Sequence, residues 1–192
     1  MPGPDGYHLK VYYLLFSFVR YPDDTIDRFW RRGVDSPPNV EVSNQPVEVD
    51  AGYATDLPPV AVMQTNYVSP QNGYTFNIST STLRGTHSYY IVLWFAELNS
   101  SVTAPGQRVF NLTTNGDLYY PAMDIFGSVG SYKATELYSY KPLGPYKDSI
   151  IIESDPSPSS TYYPTLAAAE IMQLFDNRIN ATTPTSNDDS KS

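Results

Sequence analysis

Residues 88–98 read SYYIVLWFAEL, almost without a polar interruption. The run is far short of the roughly 18 apolar residues of a membrane span. It is also rich in the β-branched and aromatic residues that favour strands. A half-exposed strand alternates apolar and polar residues, whereas one covered on both faces does not. The run therefore predicts a strand buried on both sides. YTFNISTST (74–82) and RVFNLTTNG (108–116) do alternate, so both read as half-exposed strands. An unbroken strand among alternating ones implies stacked sheets, with 89–98 as an inner strand.

The rest of the chain supplies more strands and many breakers. Its 192 residues include 17 Tyr and 17 Pro, one favouring strands and the other ending them. Strands are predicted at 9–21, 58–68, 132–140 and 149–155, with a turn at Asn115-Gly116. PDDTIDRFW (22–30) reads as a turn leading into a helical turn that Asp23 or Asp24 could cap, and residues 35–59 read as a long Pro-broken loop with short edge-like strands. LAAAEIMQLF (166–175) is helix-forming by composition. The turn-rich residues 1–8 and the Ser/Thr/Asn/Asp-rich stretch 177–192 read as loose ends. Short strands with Gly and Pro turns and no long amphipathic helix define an all-β fold, an antiparallel, jelly-roll-like β-sandwich.

Charge and residue type exclude several functions. The net charge is −8, with 20 Asp and Glu against 12 Lys and Arg, so no basic footprint exists for a nucleic acid. Without cysteine there is neither disulfide nor Cys-ligated zinc. The two histidines, His8 and His87, are not placed for a triad or a metal site, and no Gly-x-Ser-x-Gly elbow or phosphate cradle occurs. No cofactor or metal is expected. VYYLLFSFV (11–19) is followed by RYPDD rather than a small-residue cleavage site, and so reads as a strand and not a signal peptide.

Candidate chemistry reduces to four sets of side chains. Glu97, Asp124, Glu153 and Glu170 could serve a glycosidase only if two of them faced one cleft roughly 5–9.5 Å apart. For Glu97 and Arg108 a structural role is the stronger expectation. One ends a strand, the other begins the next, and a buried charge must find a partner. Tyrosines can stack on sugar rings, and Tyr119-Tyr120 and Tyr162-Tyr163, read as loop clusters, are the most site-like. Asn77, Asn99, Asn111 and Asn180 each head an Asn-x-Ser/Thr sequon, which suggests a secreted context. Alternation should turn Asn77 and Asn111 to solvent, with Asn99 also exposed in a turn and Asn180 in the tail.

RYPDDTIDRFW (20–30), PPVAVMQT (58–65), YYIVLWFAEL (89–98), RVFNLTTNGD (108–117) and AAAEIMQL (167–174) stand in the order found in plant malectin-like domains. The chain resembles these extracellular modules of receptor-like kinases, often placed before leucine-rich repeats. The likeness is to the second of two malectin folds in tandem and covers about residues 20–175, leaving 1–19 as lead-in and 177–192 as tail. It implies a β-sandwich in which 166–175 is a strand. It implies a non-catalytic ectodomain module that binds a cell-wall carbohydrate, a secreted peptide or a partner receptor, at the extracellular face of the plasma membrane. It places Tyr89 near an aromatic position that animal malectin uses for sugar. The absence of a signal peptide, leucine-rich repeats, membrane span and kinase suggests a fragment or truncated gene product. A free-standing lectin, and less readily a glycosidase, are the alternatives.

Overall fold

The structure is a computed structural model. It describes residues 10–13, 39–49, 57–69, 75–76, 86–147 and 150–174, with backbone alone at 10–13, 75–76 and 173. The elements in chain order are β1 (Lys10–Tyr13), β2 (Val40–Val42), β3 (Glu48–Val49), α1 (Val60–Met63), β4 (Thr65–Val68), β5 (Thr75–Phe76) and β6 (Thr86–Ala96). They continue with β7 (Val109–Thr114), β8 (Asp117–Asp124), α2 (Ile125–Val129), β9 (Lys133–Tyr138), β10 (Leu143–Lys147), β11 (Ile152–Pro156), β12 (Thr165–Leu166) and β13 (Ala168–Leu174).

These strands form three sheets. A six-stranded sheet runs β1-β13-β6-β9-β3, with β10 also on β6. A four-stranded sheet runs β5-β11-β7-β8, and a three-stranded sheet runs β12-β4-β2. The pairings are antiparallel except β3 with β9. The all-β sandwich read from the sequence is thus observed, with β6 as the inner strand between β13 and β9.

β6 shows why the sequence run is unbroken. Tyr89, Ile91, Leu93 and Phe95 point into the core shared with the four-stranded sheet, against Phe110, Leu112, Ile150 and Ile152. Trp94 and Ala96 point the other way, into a second core with Val47, Val62, Met63 and Ala168. One strand is the common wall of two cores, so alternation disappears where both are full.

Of the helix-forming stretch, residues 168–174 are strand, β13, held between β1 and β6. Ala168 and Ala169 are fully buried on its opposite faces, one in each core. Their small side chains allow close approach on both sides, and this packing overrides helix propensity. Two expectations need correction. The strand expected over 58–68 begins as a single helical turn, α1, because Pro59 leads into a turn that buries Val62 and Met63; only 65–68 are extended. The segment holding Tyr119-Tyr120 is not a loop but β8, paired to β7 through the turn at Asn115 (φ 49°) and Gly116 (φ 87°). Residues 177–192, the candidate cap at Asp23 or Asp24, His8, Asn77 and Asn180 lie outside the described residues.

Candidate functional site

Glu97 follows the last residue of β6, and Arg108 precedes the first of β7. The chain between them makes a tight turn, in which Asn99 Oδ1 accepts from the Ser101 N–H at 2.9 Å. This brings the two charged residues together with side chains 0% and 1% exposed. Arg108 Nε lies 2.8 Å from Glu97 Oε2, and Nη2 donates to Glu97 Oε1 at 3.2 Å. The Nε contact is a close ion pair without hydrogen-bond alignment, and the Nη2 bond is the charge-assisted hydrogen bond of the pair.

A second carboxylate joins them. Glu41, from the middle of β2, accepts from Arg108 Nη2 at 2.9 Å and from Asn99 Nδ2 at 3.2 Å. Arg108 Nη1 donates to the Tyr163 carbonyl at 2.6 Å. The guanidinium carbon stands 5.8 Å from the centre of the Tyr162 ring, within cation–π range. Burial pushes the Glu97 carboxyl above its ordinary range; Arg108 and the Asn99 N–H oppose this, and the charge of Glu41 adds to it.

The loops around this cluster are tied to one another. Gln107 Oε1 accepts from the Thr103 and Ala104 N–H groups, and its carbonyl accepts from those of Thr161 and Tyr162. Ser160 Oγ accepts from the Val109 N–H and donates to the Tyr162 carbonyl. Tyr162 donates its phenol to the Ser101 carbonyl at 3.2 Å. Asp124, which caps α2 through the Gly127 N–H, also accepts from the Gly106 N–H at 2.7 Å. The result is a braced loop end on which Tyr163 is 45% exposed.

The other tyrosines lie elsewhere. Tyr120 is exposed on β8 opposite Leu112, whereas Tyr119 packs half-buried against the core and burial pushes its phenol up to about 12. Strand geometry puts Tyr120 roughly 10–17 Å from the braced loops at Gln107 and Val109, so the two pairs do not form one cluster. Tyr89 is fully buried, its ring centre 6.4 Å from that of Tyr146. It is core, with no face at the surface. Sequence reasoning passed over an exposed pair, Tyr138 and Tyr140, whose ring centres are 4.4 Å apart with Tyr140 82% exposed.

The four candidate carboxylates are engaged separately. Glu97 binds Arg108; Glu170 accepts from Trp94 Nε1 at 2.9 Å; Asp124 caps α2; Glu153 accepts from Thr113 Oγ1 at 3.2 Å. Among the described residues no group of three metal-ligating side chains occurs, and no helix is long and apolar enough to cross a membrane. Of the sequons, Asn111 is half-exposed on β7 and accepts the Ala122 N–H through Oδ1. Asn99 is half-buried, with its Nδ2 engaged by Glu41.

Glu41 and Gln107 are the residues that sequence reasoning missed. Glu41 had a signal: a single acid between two valines in VEV faces opposite to both of them. Gln107 had none, because it acts through a loop conformation.

The model of the malectin-like domain matches residues 8–174. The match starts ahead of residue 20, and it includes β1, which is paired to β13. Receptor-like protein kinase At3g21340 of Arabidopsis thaliana is 29% identical over 160 residues, 82% of this chain and 17% of that protein. The nodulation receptor kinase of Pisum sativum is 30% identical over 159 residues, 81% of this chain and 16% of that protein. The chain thus spans about a sixth of the length of these relatives. In the crystal structure of plant peptide RALF23 in complex with FER and LLG2, one chain superposes with a TM-score of 0.75 at 20% identity, over 90% of this chain and 51% of that one. This last likeness speaks for the fold. The match over most of the chain, and the sandwich that the structure shows, make this protein a member of the malectin-like domain family.

Proposed function

We propose that the chain is a non-catalytic docking module of a receptor-like kinase ectodomain, displayed outside the cell as the second of two tandem malectin folds. Its ligand is a secreted peptide or a cell-wall carbohydrate, or it meets a partner receptor, and the surface it uses is the braced loop end bearing Tyr162-Tyr163. The observation that carries this reading is the bracing itself. Hydrogen bonds accepted by Gln107 and donated by Ser160, Tyr162 and Arg108 fix the loops while Tyr163 remains exposed. A fixed loop end presenting an aromatic ring binds without first paying to order itself. The non-catalytic reading is supported by the separate structural engagement of Glu97, Asp124, Glu153 and Glu170. The peptide reading is favoured by FER, whose solved complex contains RALF23.

The test is a panel of secreted plant peptides and a glycan array, followed by Tyr163→Ala and, on β8, Tyr120→Ala. Tyr163 uses only its backbone in the ion cluster, so its alanine variant should fold normally. A hit should weaken by about tenfold or more, as expected for an aromatic anchor. Unchanged affinity in Tyr163→Ala would move the site away from the loop end.

A second reading, a carbohydrate-binding lectin face, is favoured by Tyr138 and Tyr140. Two exposed rings 4.4 Å apart offer apolar faces with polar edges, which suit a sugar. Tyr140→Ala separates the two readings, because it lies on β9's extension rather than on the loop end.

A further inference from the structure

Asn111 heads the sequon Asn-Leu-Thr on β7. Its neighbours Phe110 and Leu112 are core residues, so its own side chain faces outward from the four-stranded sheet, half-exposed. On β8 the same outer face carries Leu118 and Tyr120, 62% and 39% exposed, while Tyr119 between them packs against the core. Leu118 and Tyr120 are the large apolar side chains that this sheet leaves exposed among the described residues. They also stand at its edge, since β8 pairs with β7 and with no other strand among the described residues. An apolar edge invites unwanted pairing unless something blunts it. Pro121 and two register shifts spoil the backbone of β8 as a template, yet the two apolar side chains stay uncovered.

The side chain of Asn111 leans toward them. Its Oδ1 accepts from the Ala122 N–H at 2.9 Å, a bond that reaches across the ladder and draws the amide over β8. The bond uses the oxygen alone, so Nδ2, where a glycan attaches, has no part in it. Tyr120 lies two residues before Ala122, which makes it the diagonal neighbour of Asn111, at roughly 7–8 Å along such a ladder. Leu118 continues the same row. The first sugar of an N-glycan, N-acetylglucosamine, has a flat face of C–H groups and a rim of hydroxyls. An aromatic ring with a polar tip matches both. On the other side of Asn111 stands Asp155 of β11, an exposed carboxylate that accepts from hydroxyls but offers no face to stack on. The stacking side is therefore β8.

We infer that Tyr120, with Leu118 behind it, is the docking platform for the chain's own glycan: the N-acetylglucosamine carried by Asn111 lies across β8 with its C–H face on the Tyr120 ring. The sugar covers the apolar edge and holds the outer face of the four-stranded sheet closed to partners. The exposed tyrosine on β8 thus serves a covalently attached ligand, whereas Tyr163 on the loop end remains free for another molecule. The inference rests on the extracellular reading above, because N-glycans are added in the secretory pathway.

The test uses the full chain in two forms. One is secreted from a eukaryotic host and trimmed enzymatically to a single N-acetylglucosamine at each site; the other is made in bacteria without glycans. The Tm gained from the sugar is read for the natural sequence, Tyr120→Ala and Tyr120→Phe, so that sugars at other sequons cancel. The gain in the natural sequence should exceed that in Tyr120→Ala by on the order of 2–4 °C, and Tyr120→Phe should keep it. Proton NMR of the trimmed form is the second measurement. Ring protons of one N-acetylglucosamine should be shifted upfield by the tyrosine ring and should return to ordinary positions in Tyr120→Ala. Equal gains in Tyr120→Ala and the natural sequence, sugar protons at ordinary positions, or a secreted chain with no sugar on Asn111 each overturn the inference and leave the extracellular reading standing. A chain isolated from its own cells without sugar on any sequon overturns both.

Discussion

Arg108 Nε and Glu97 Oε2 face each other at 2.8 Å in a site closed to solvent, joining the end of β6 to the start of β7. Glu97→Ala leaves Arg108 buried with only the partly exposed Glu41 as counter-charge, and should cost about 3–5 kcal/mol in urea unfolding. Arg108→Lys should lose most of the same energy, since a point-charge ammonium cannot replace a fork that reaches Glu97, Glu41 and the Tyr163 carbonyl together. A harmless Glu97→Ala would show that the pair is not what holds this junction.

Trp94 donates its indole N–H to Glu170 Oε1 between two paired strands of the six-stranded sheet. Trp94→Phe keeps a large apolar side chain in the second core but withdraws that donor. The expected loss is about 0.5–1.5 kcal/mol, the net worth of one intramolecular hydrogen bond. Chemical denaturation measures it, and Trp94→Phe combined with Glu170→Gln should cost less than the sum of the two single changes.

Gly127 is held to glycine by the cap that starts α2. A Cβ at this position would stand 2.7 Å from Asp124 Oδ2. Gly127→Ala should therefore expel the Asp124 side chain, which also braces the Gly106 N–H. The loss should be about 1 kcal/mol, as for other lost caps, and thermal melting should show little further loss when Asp124→Ala is added.

Tyr119 should report on alkaline unfolding. Burial pushes its phenol up to about 12, so the unfolded chain releases that proton near the ordinary value of about 10 while the folded chain retains it. Its contribution to stability is thus complete below about pH 10 and declines as the pH rises toward about 12. Tyr119→Phe should flatten that limb of the stability profile, as read by denaturant midpoints across the range.

Sequon use should differ between the two described sites. A glycan attaches at Nδ2, and in Asn111 the atom that braces β8 is Oδ1, bonded to the Ala122 N–H. In Asn99 the attachment atom is the one that holds Glu41. Glycopeptide mass spectrometry after secretory expression should find Asn111 occupied and Asn99 largely bare. Equal occupancy at both would mean that the Asn99–Glu41 bond yields readily.

What could be read in the sequence followed from periodicity and from charge. The unbroken run at 88–98 announced a strand with two covered faces, and the alternation of 108–116 announced its sandwich partner. Asn115-Gly116 announced the turn after it. Glu97 and Arg108 could be matched because two charges at the ends of apolar strands need each other. Glu41 could not, because its partners are 58 and 67 residues away and nothing local ties β2 to them. Tyr119-Tyr120 was misread as a loop because Pro121 and the turn at 115–116 flank it, yet an edge strand with bulges accommodates both. Composition makes 166–175 look helical, and for residues 168–174 only their place between β1 and β6 decides the matter.

Because β6 feeds one core with Leu93 and Phe95 and the other with Trp94 and Ala96, its spelling matters less than its count. Many apolar exchanges along it would shift a few contacts in a single compartment. Inserting or deleting one residue ahead of Trp94 would invert every later side chain, sending the indole toward Phe110 and the Phe95 ring toward Met63. Both compartments would then be misfilled at once, and the Trp94–Glu170 hydrogen bond would be lost with them. The strand is a reading frame for the whole sandwich, tolerant of substitution and intolerant of a change in length.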